Sequence, residues 1–398
     1  MRGRRGGELA PIICSLVVTA LLLSTSLPPL LTLVSSATWR GVNGGAHAGG
    51  AVIYVVGGLS SFLRLHEELM VSNLSLVKLT KLSTVPGRAG VIVVTRMLEP
   101  EEERVLVRCL LRGFVIVSVG RDVSDQVRGL LSRVVTVTAL FNGTEAYAYK
   151  IISMQRVHGH YPVLIVGYGG KPSAGILVDA ARLLRVRVLS LSPGCCARRV
   201  AIIKWDSNNA AKPHGKLVIS HEIYEMLNNA IPNTEDYVVK CYTEIISGNK
   251  LGWWDSSGYS WFNDYIKSKY LLTYYTKRYS LINYEPTSMS NVGTSVEVSI
   301  EGPCLSWSYS GKYILSIDDD SDLGANVAGW YHDIGTLLLP GVPNTVEIDP
   351  GFEFLVSPAG PGRQRWVITA GWVGMGVNPE MPLKHFALTL VMVVNFNC

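Results

Sequence analysis

Short, continuous, β-branched runs alternate with stretches of helical length through the first half of the chain, and strict two-residue alternation takes over in the last third. AVIYVVG at 51–57, GVIVVT at 90–95, FVIVSVG at 114–120, PVLIVGYG at 162–169 and VRVLSLS at 186–192 are such runs, which suit strands covered on both faces. Between them Leu59–Met70, Glu99–Leu111 and Ser173–Leu184 have helical length, with acids opening the second and Ser173 placed to cap the third. The pattern predicts a doubly wound α/β domain with a mainly parallel sheet over residues 51–204. Phe141-Asn142-Gly143-Thr144 reads as a hairpin turn inserted in that sheet.

Further on, Val296, Val298 and Ile300 alternate, as do Phe352, Phe354 and Val356, then Trp366, Ile368, Ala370 and Trp372. At the end of the chain Phe386, Leu388, Leu390, Met392, Val394 and Phe396 share one face of an extended strand. These alternations predict an all-β antiparallel sandwich over residues 291–398. Residues 205–290 form an aromatic-rich segment in which Asn263–Tyr279 fits a helix and a Tyr-rich strand equally well.

The start of the chain has a different pattern. Arg2, Arg4 and Arg5 precede an uncharged, mostly apolar stretch from Leu9 to Leu27, long enough as a helix to approach the thickness of a bilayer core. Basic residues before the stretch and none within it keep the N-terminus in the cytoplasm and send the rest of the chain outside. Residues 1–37 are therefore a signal peptide, with Ser35 and Ala37 at signal-peptidase spacing, or an uncut anchor contacting the membrane through residues 9–27. The Gly-rich stretch 38–50 reads as a tether. The protein is expected at the cell membrane facing outside, or secreted.

Hydrophobic residues make up 48% of the 398 and charged residues 17%, which excludes intrinsic disorder. The net charge of +5 conceals an asymmetry: residues 1–204 hold 24 Lys and Arg against 11 Asp and Glu, and the remainder 12 against 20. Eight of the nine Trp also lie beyond residue 204, so two segments of different character meet there. Arg104, Arg108, Arg112, Arg121, Arg128 and Arg133 are spread at helical spacing and read as solvated helix faces, with no nucleic-acid partner.

Cysteine usage fits export. Outside the apolar stretch stand Cys109, Cys195, Cys196, Cys241, Cys304 and Cys398, an even set of disulfide candidates. Asn73 and Asn142 open acceptor triplets for glycosylation.

Arg4-Arg5-Gly6-Gly7-Glu8-Leu9-Ala10-Pro11-Ile12-Ile13 resembles the start of archaeal pilin-like precursors, and that resemblance implies a filament subunit with its helix retained. The stretch Val91–Gly120, an apolar strand, then Glu-Pro-Glu-Glu-Glu, an amphipathic helix and Arg-Gly before a second strand, is similar to glutamine-amidotransferase-like domains. There the resemblance implies the fold without the activity, since Cys109 falls inside the helix and no Cys stands at the strand-to-helix turn where the family carries its nucleophile. Ser220-His221-Glu222-Ile223-Tyr224-Glu225 resembles the first part of a zincin helix with Glu225 in place of the second His, and reads more simply as an exposed helix start.

No motif is diagnostic of a reaction. Asp318, Asp320 and Asp322 place acids at alternating positions of a loop, an arrangement suited to Ca²⁺. Trp253, Trp254, Tyr259 and Trp261 cluster among Gly, Ser and Asp, a composition for a recognition loop that meets a surface glycan or a protein. The function expected is that of an exported cell-surface binding or structural protein. Alternatives are an extracellular hydrolase with its site on the α/β domain and the pilin-like subunit.

Overall fold

A computed structural model describes residues 52–57, 74–79, 81–83, 89–170, 174–185, 197–227, 231–275, 279–287, 289–290, 296–301, 306–311, 313–334, 344–357, 362–378 and 380–397. The first half supplies β1 (Val52–Val56), β2 (Ser75–Leu79), β3 (Gly90–Val94), α1 (Pro100–Leu111), β4 (Val115–Val119) and α2 (Arg121–Leu131). Next come β5 (Val137–Phe141), β6 (Thr144–Ile151), β7 (Val163–Gly169), α3 (Ala174–Leu183) and β8 (Ala197–Asp206). Long strands succeed them: β9 (Gly215–Met226), β10 (Glu235–Ser247), β11 (Tyr259–Tyr275) and β12 (Tyr279–Glu285). The remainder is β13 (Met289–Ser290), β14 (Val296–Glu301), β15 (Ser306–Gly311), β16 (Ser316–Asp319), β17 (Val327–Asp333), β18 (Thr345–Ile348), β19 (Gly351–Val356), β20 (Gly362–Gly376) and β21 (Lys384–Phe396).

One twelve-stranded sheet runs in the order β12-β19-β10-β9-β8-β7-β6-β4-β3-β1-β2, with β18 also on β10. A seven-stranded sheet runs β13-β16-β17-β11-β20-β21-β5, and β14 pairs with β15 alone. All these strands fall in one compact unit, Ala48–Cys398.

This architecture corrects the expectation of a doubly wound α/β domain followed by a sandwich. Strands β2, β1, β3 and β4 are parallel, but β6 is antiparallel to β4 and β7. Only β7 and β8 are parallel again, and from β8 onward the same sheet continues antiparallel through β9, β10 and β19. Continuous apolar runs report that both faces are covered; they do not report the direction of the neighbour. Direction is set by the connections. After α2 the chain enters the other sheet as β5, and the turn at Asn142-Gly143, with Gly143 at φ +65°, reverses it into β6. That turn is accordingly not a hairpin, because β5 pairs with β21 whereas β6 pairs with β4 and β7.

Both family resemblances are corrected with it. The βαβ pattern of Val91–Gly120 is a local feature of a mostly β body with mixed sheets, not a glutamine-amidotransferase-like domain, and a β body of this kind is not what an archaeal pilin-like precursor implies. Among the described residues no helix is long and apolar enough to cross a membrane. The segments 1–37 and 38–50 lie outside the described residues.

One face of the large sheet packs α1 and α2 and then the seven-stranded sheet in a single apolar cluster that includes Leu106, Val127, Ile219, Tyr237 and Trp366. The other face packs α3 through Leu177 and Ala180 against Val55, Val93 and Val117. Strand β9 alternates strictly, with Leu217, Ile219, His221, Ile223 and Glu225 inward. In a strand, residues four apart share a face but stand about 13 Å apart, so His221 and Glu225 cannot hold one metal as a helix pair would. His221 meets the hydroxyl of Tyr270 at 2.9 Å between the sheets instead. Burial holds its imidazole down at about pKa 3. Its contribution to stability is therefore complete above pH 6.5, the ordinary value, and is lost as the pH falls towards 3. Asp179, raised to about 7 by burial, acts with the opposite sign: its contribution is complete below the ordinary carboxylate value and is lost as the pH rises through 7.

Acids gathered in the first turn of α1 suit the positive end of its dipole, and Glu102 among them has a second task. Its carboxylate is fully buried and accepts from Arg96 at 2.8 and 2.9 Å, from the Leu82 amide at 2.9 Å and from the Glu99 amide at 3.0 Å. The Arg96 guanidinium is the main reason its carboxyl is lowered to about 2. Glu102→Ala should cost about 3–5 kcal/mol, because it takes from two backbone amides and from the Arg96 guanidinium the buried carboxylate they share. Denaturant titration at pH 7 checks this. At pH 2 the difference from wild type should shrink, since a carboxyl with a lowered pKa loses its contribution as the pH falls through that value.

Candidate recognition site

The loop between β10 and β11 is built from close backbone approaches. Gly248 sits where any Cβ would meet the Pro213 carbonyl oxygen, and its amide donates to the His214 carbonyl at 2.8 Å. Trp253 N–H returns to the Gly248 carbonyl at 3.0 Å, which turns the next residues outward. Gly252 and Gly258 take φ of +64° and +79°, a region that favours glycine.

Asp255 fixes the tip. Its Oδ1 accepts from the Ser257 amide at 2.9 Å and hydroxyl at 2.7 Å, and Oδ2 accepts from Trp261 Nε1 at 2.8 Å. The Ser257 hydroxyl, followed by its amide and by Trp261, holds this carboxyl at about 2, so it is ionised at every physiological pH. The amide of Val377, in the β20–β21 turn, donates to the Gly258 carbonyl at 3.1 Å and joins the two loops.

The four aromatic candidates divide by environment. Trp254 is 81% exposed, whereas Trp261 and Tyr259 are buried at 4% and 7%; Trp253 is half-buried. Trp261 packs edge-on against His214, 4.3 Å between centroids, and His214 stacks on Phe386 at 3.6 Å. Tyr259 donates to the Pro382 carbonyl at 3.2 Å, and Lys384 Nζ lies 4.0 Å from its ring centroid. Trp253, Trp254, Asp255, Tyr259 and Val377 line a cavity of about 120 Å³ at this tip. Val377 is 74% exposed, so an indole and an isopropyl group stand together in solvent.

The other candidates lie elsewhere. Asp318 is in β16, and Asp320 stands just beyond that strand, its Oδ2 3.4 Å from Lys267 Nζ. Asp322 Oδ1 accepts from the Ala325 amide at 2.9 Å. Among the described residues no three His, Cys, Asp or Glu side chains converge as a metal set. Cys109 in α1 and Cys241 in β10 are buried free thiols, and burial pushes the Cys109 thiol up to about 11 and that of Cys241 up as well. Cys195, Cys196, Cys304, Cys398 and Asn73 lie outside the described residues. Asn142 is exposed and accepts from the Val391 amide at 2.7 Å.

One cluster has no signature in the sequence. Arg198 grips Glu225 at 2.7 and 3.0 Å, and His158 Nε2 meets the same carboxylate at 2.8 Å and Glu235 at 3.7 Å. Four well-separated stretches supply it, so no local spacing announces it.

No family model matches the chain, and no curated protein matches it. Among solved structures, a "Pore forming protein" is similar at 10% identity and a TM-score of 0.34, over 52% of this chain and 94% of that one. The NetB toxin of Clostridium perfringens in its membrane-inserted form is similar at 8% identity and a TM-score of 0.25, over 49% and 95%. Overlap at this level does not define a shared fold or activity.

Proposed function

We propose that the chain is an exported protein, secreted or held at the cell surface, that binds a surface glycan or protein through the tip bearing Trp253, Trp254 and Tyr259. In this reading residues 9–27 direct export, residues 38–50 form the tether, and the two packed sheets hold the tip rigid. The observation that carries it is Trp254: an indole 81% exposed on a loop whose backbone is fixed by Asp255. Ordering a flexible loop on binding costs conformational entropy, and a fixed loop has already met that cost. A pre-positioned Trp next to an exposed apolar side chain is the kind of anchor that dominates binding energy at recognition surfaces.

The position of the three arginines before the apolar stretch supports export. Protease added to intact cells making the full chain should degrade residues 52–397. Survival of that region until the membrane is opened would contradict the proposal.

A further inference from the structure

The cavity at the tip is chemically one-sided. Asp255 is its one acid, Trp253, Trp254 and Tyr259 supply three aromatic rings, and the cation beside the wall is Lys384, which lies on the Tyr259 ring. At about 120 Å³ it is smaller than the roughly 300–1,000 Å³ of sites that enclose a drug-sized ligand, so it suits a single small group at the end of a larger molecule.

Aromatic rings attract cations through the negative face of the π system, Trp most strongly. This tip already shows the interaction: the Lys384 ammonium sits 4.0 Å from the Tyr259 centroid. Asp255 adds a full negative charge held in place by two donors from Ser257 and one from Trp261. A carboxylate has about four acceptor positions, so three donors leave it room to face a cation. The charge balance of residues 205–398, 12 basic against 20 acidic, favours a cation over an anion at longer range.

We propose that the tip binds a methylated ammonium group, a nitrogen carrying three methyls, with the methyls against Trp253 and Trp254 and the charge facing Asp255. A methylated ammonium presents apolar surface to the rings, whereas a primary ammonium such as that of Lys is strongly hydrated. The inference rests on the reading of this loop as a recognition tip and specifies its ligand class.

Choline and Nα-acetyl-Nε-trimethyl-lysine amide, titrated against the full chain and followed by tryptophan fluorescence, test it beside 3,3-dimethylbutan-1-ol, which replaces the nitrogen of choline by carbon. At least one ammonium should bind about tenfold more tightly than the neutral isostere, the size of a desolvated cation–π contact. Preference between the two ammonium probes then distinguishes a free or headgroup source from a protein side chain. Trp254→Ala should abolish binding and Asp255→Asn should weaken it about tenfold. Because Asp255 also holds the loop, the isostere comparison on unaltered protein is the arm independent of folding. Equal affinity for the isostere, or binding of methyl glucoside in place of both ammonium probes, overturns the inference. In the glucoside case the recognition tip itself stands; it falls only if Trp254→Ala leaves attachment to cell envelopes unchanged.

Discussion

Replacing Trp366 by Ala should lower the free energy of unfolding by about 3–5 kcal/mol, a large part of the roughly 5–15 kcal/mol that holds a typical domain folded. Trp366 is fully buried on β20 and faces the large sheet. Its ring lies 5.5 Å from that of His221 on β9, 5.5 Å from Tyr270 on β11 and 6.1 Å from Phe352 on β19, so one side chain joins both sheets. Its Nε1 also donates to Gln364 Oε1 at 2.8 Å, and truncation would leave that buried acceptor without its donor. Trp366→Phe, which keeps most of the ring volume, should lose less. Denaturant unfolding that shifts in midpoint at constant slope would show that the loss is one of packing. An effect under about 1 kcal/mol would show that the sheets do not share a core.

Trp261→Ala should likewise cost about 3 kcal/mol or more, and Trp254→Ala should stay within about 0.5 kcal/mol of wild type. The sequence presents these residues as one cluster, yet their surroundings differ. Trp261 is inward on β11, packed on His214 and bonded to Asp255, whereas Trp254 stands in solvent. Removing Trp261 also frees Asp255 Oδ2 and loosens the loop, so its loss of binding would be a secondary effect of unfolding. Removing Trp254 touches only the surface. Comparable falls in melting temperature for the two variants would show that Trp254 is packed and not presented.

Local pattern is legible where a strand is apolar on both faces or alternates cleanly. The runs at 90–95, 114–120 and 162–169 and the alternations at 352–356, 366–372 and 386–396 all lie in strands. What those runs do not reveal is pairing. Strand direction in β6 depends on the detour of β5 into the second sheet, a contact between residues about 250 apart in sequence, such as Val394 with Ala139. Strand β9 reads as a helix start because its inward face includes His221 and Glu225, and polar residues at inward positions disguise the alternation. Strand β8 spans the point where charge and aromatic content change, so composition alters there without interrupting the sheet. For the tip, an excess of aromatics among Gly, Ser and Asp is visible in sequence. Which ring is exposed is not, because that depends on His214 and Phe386 arriving from other parts of the chain.

The most direct measurement is the retention of purified wild-type protein and of Trp254→Ala on cell envelopes of the source organism, with melting temperature recorded for both. Retention of the wild type, its loss by tenfold or more in Trp254→Ala, and equal melting temperatures are the result expected if the tip is the recognition surface, tenfold being about 1.4 kcal/mol. Equal retention of the two proteins would contradict it.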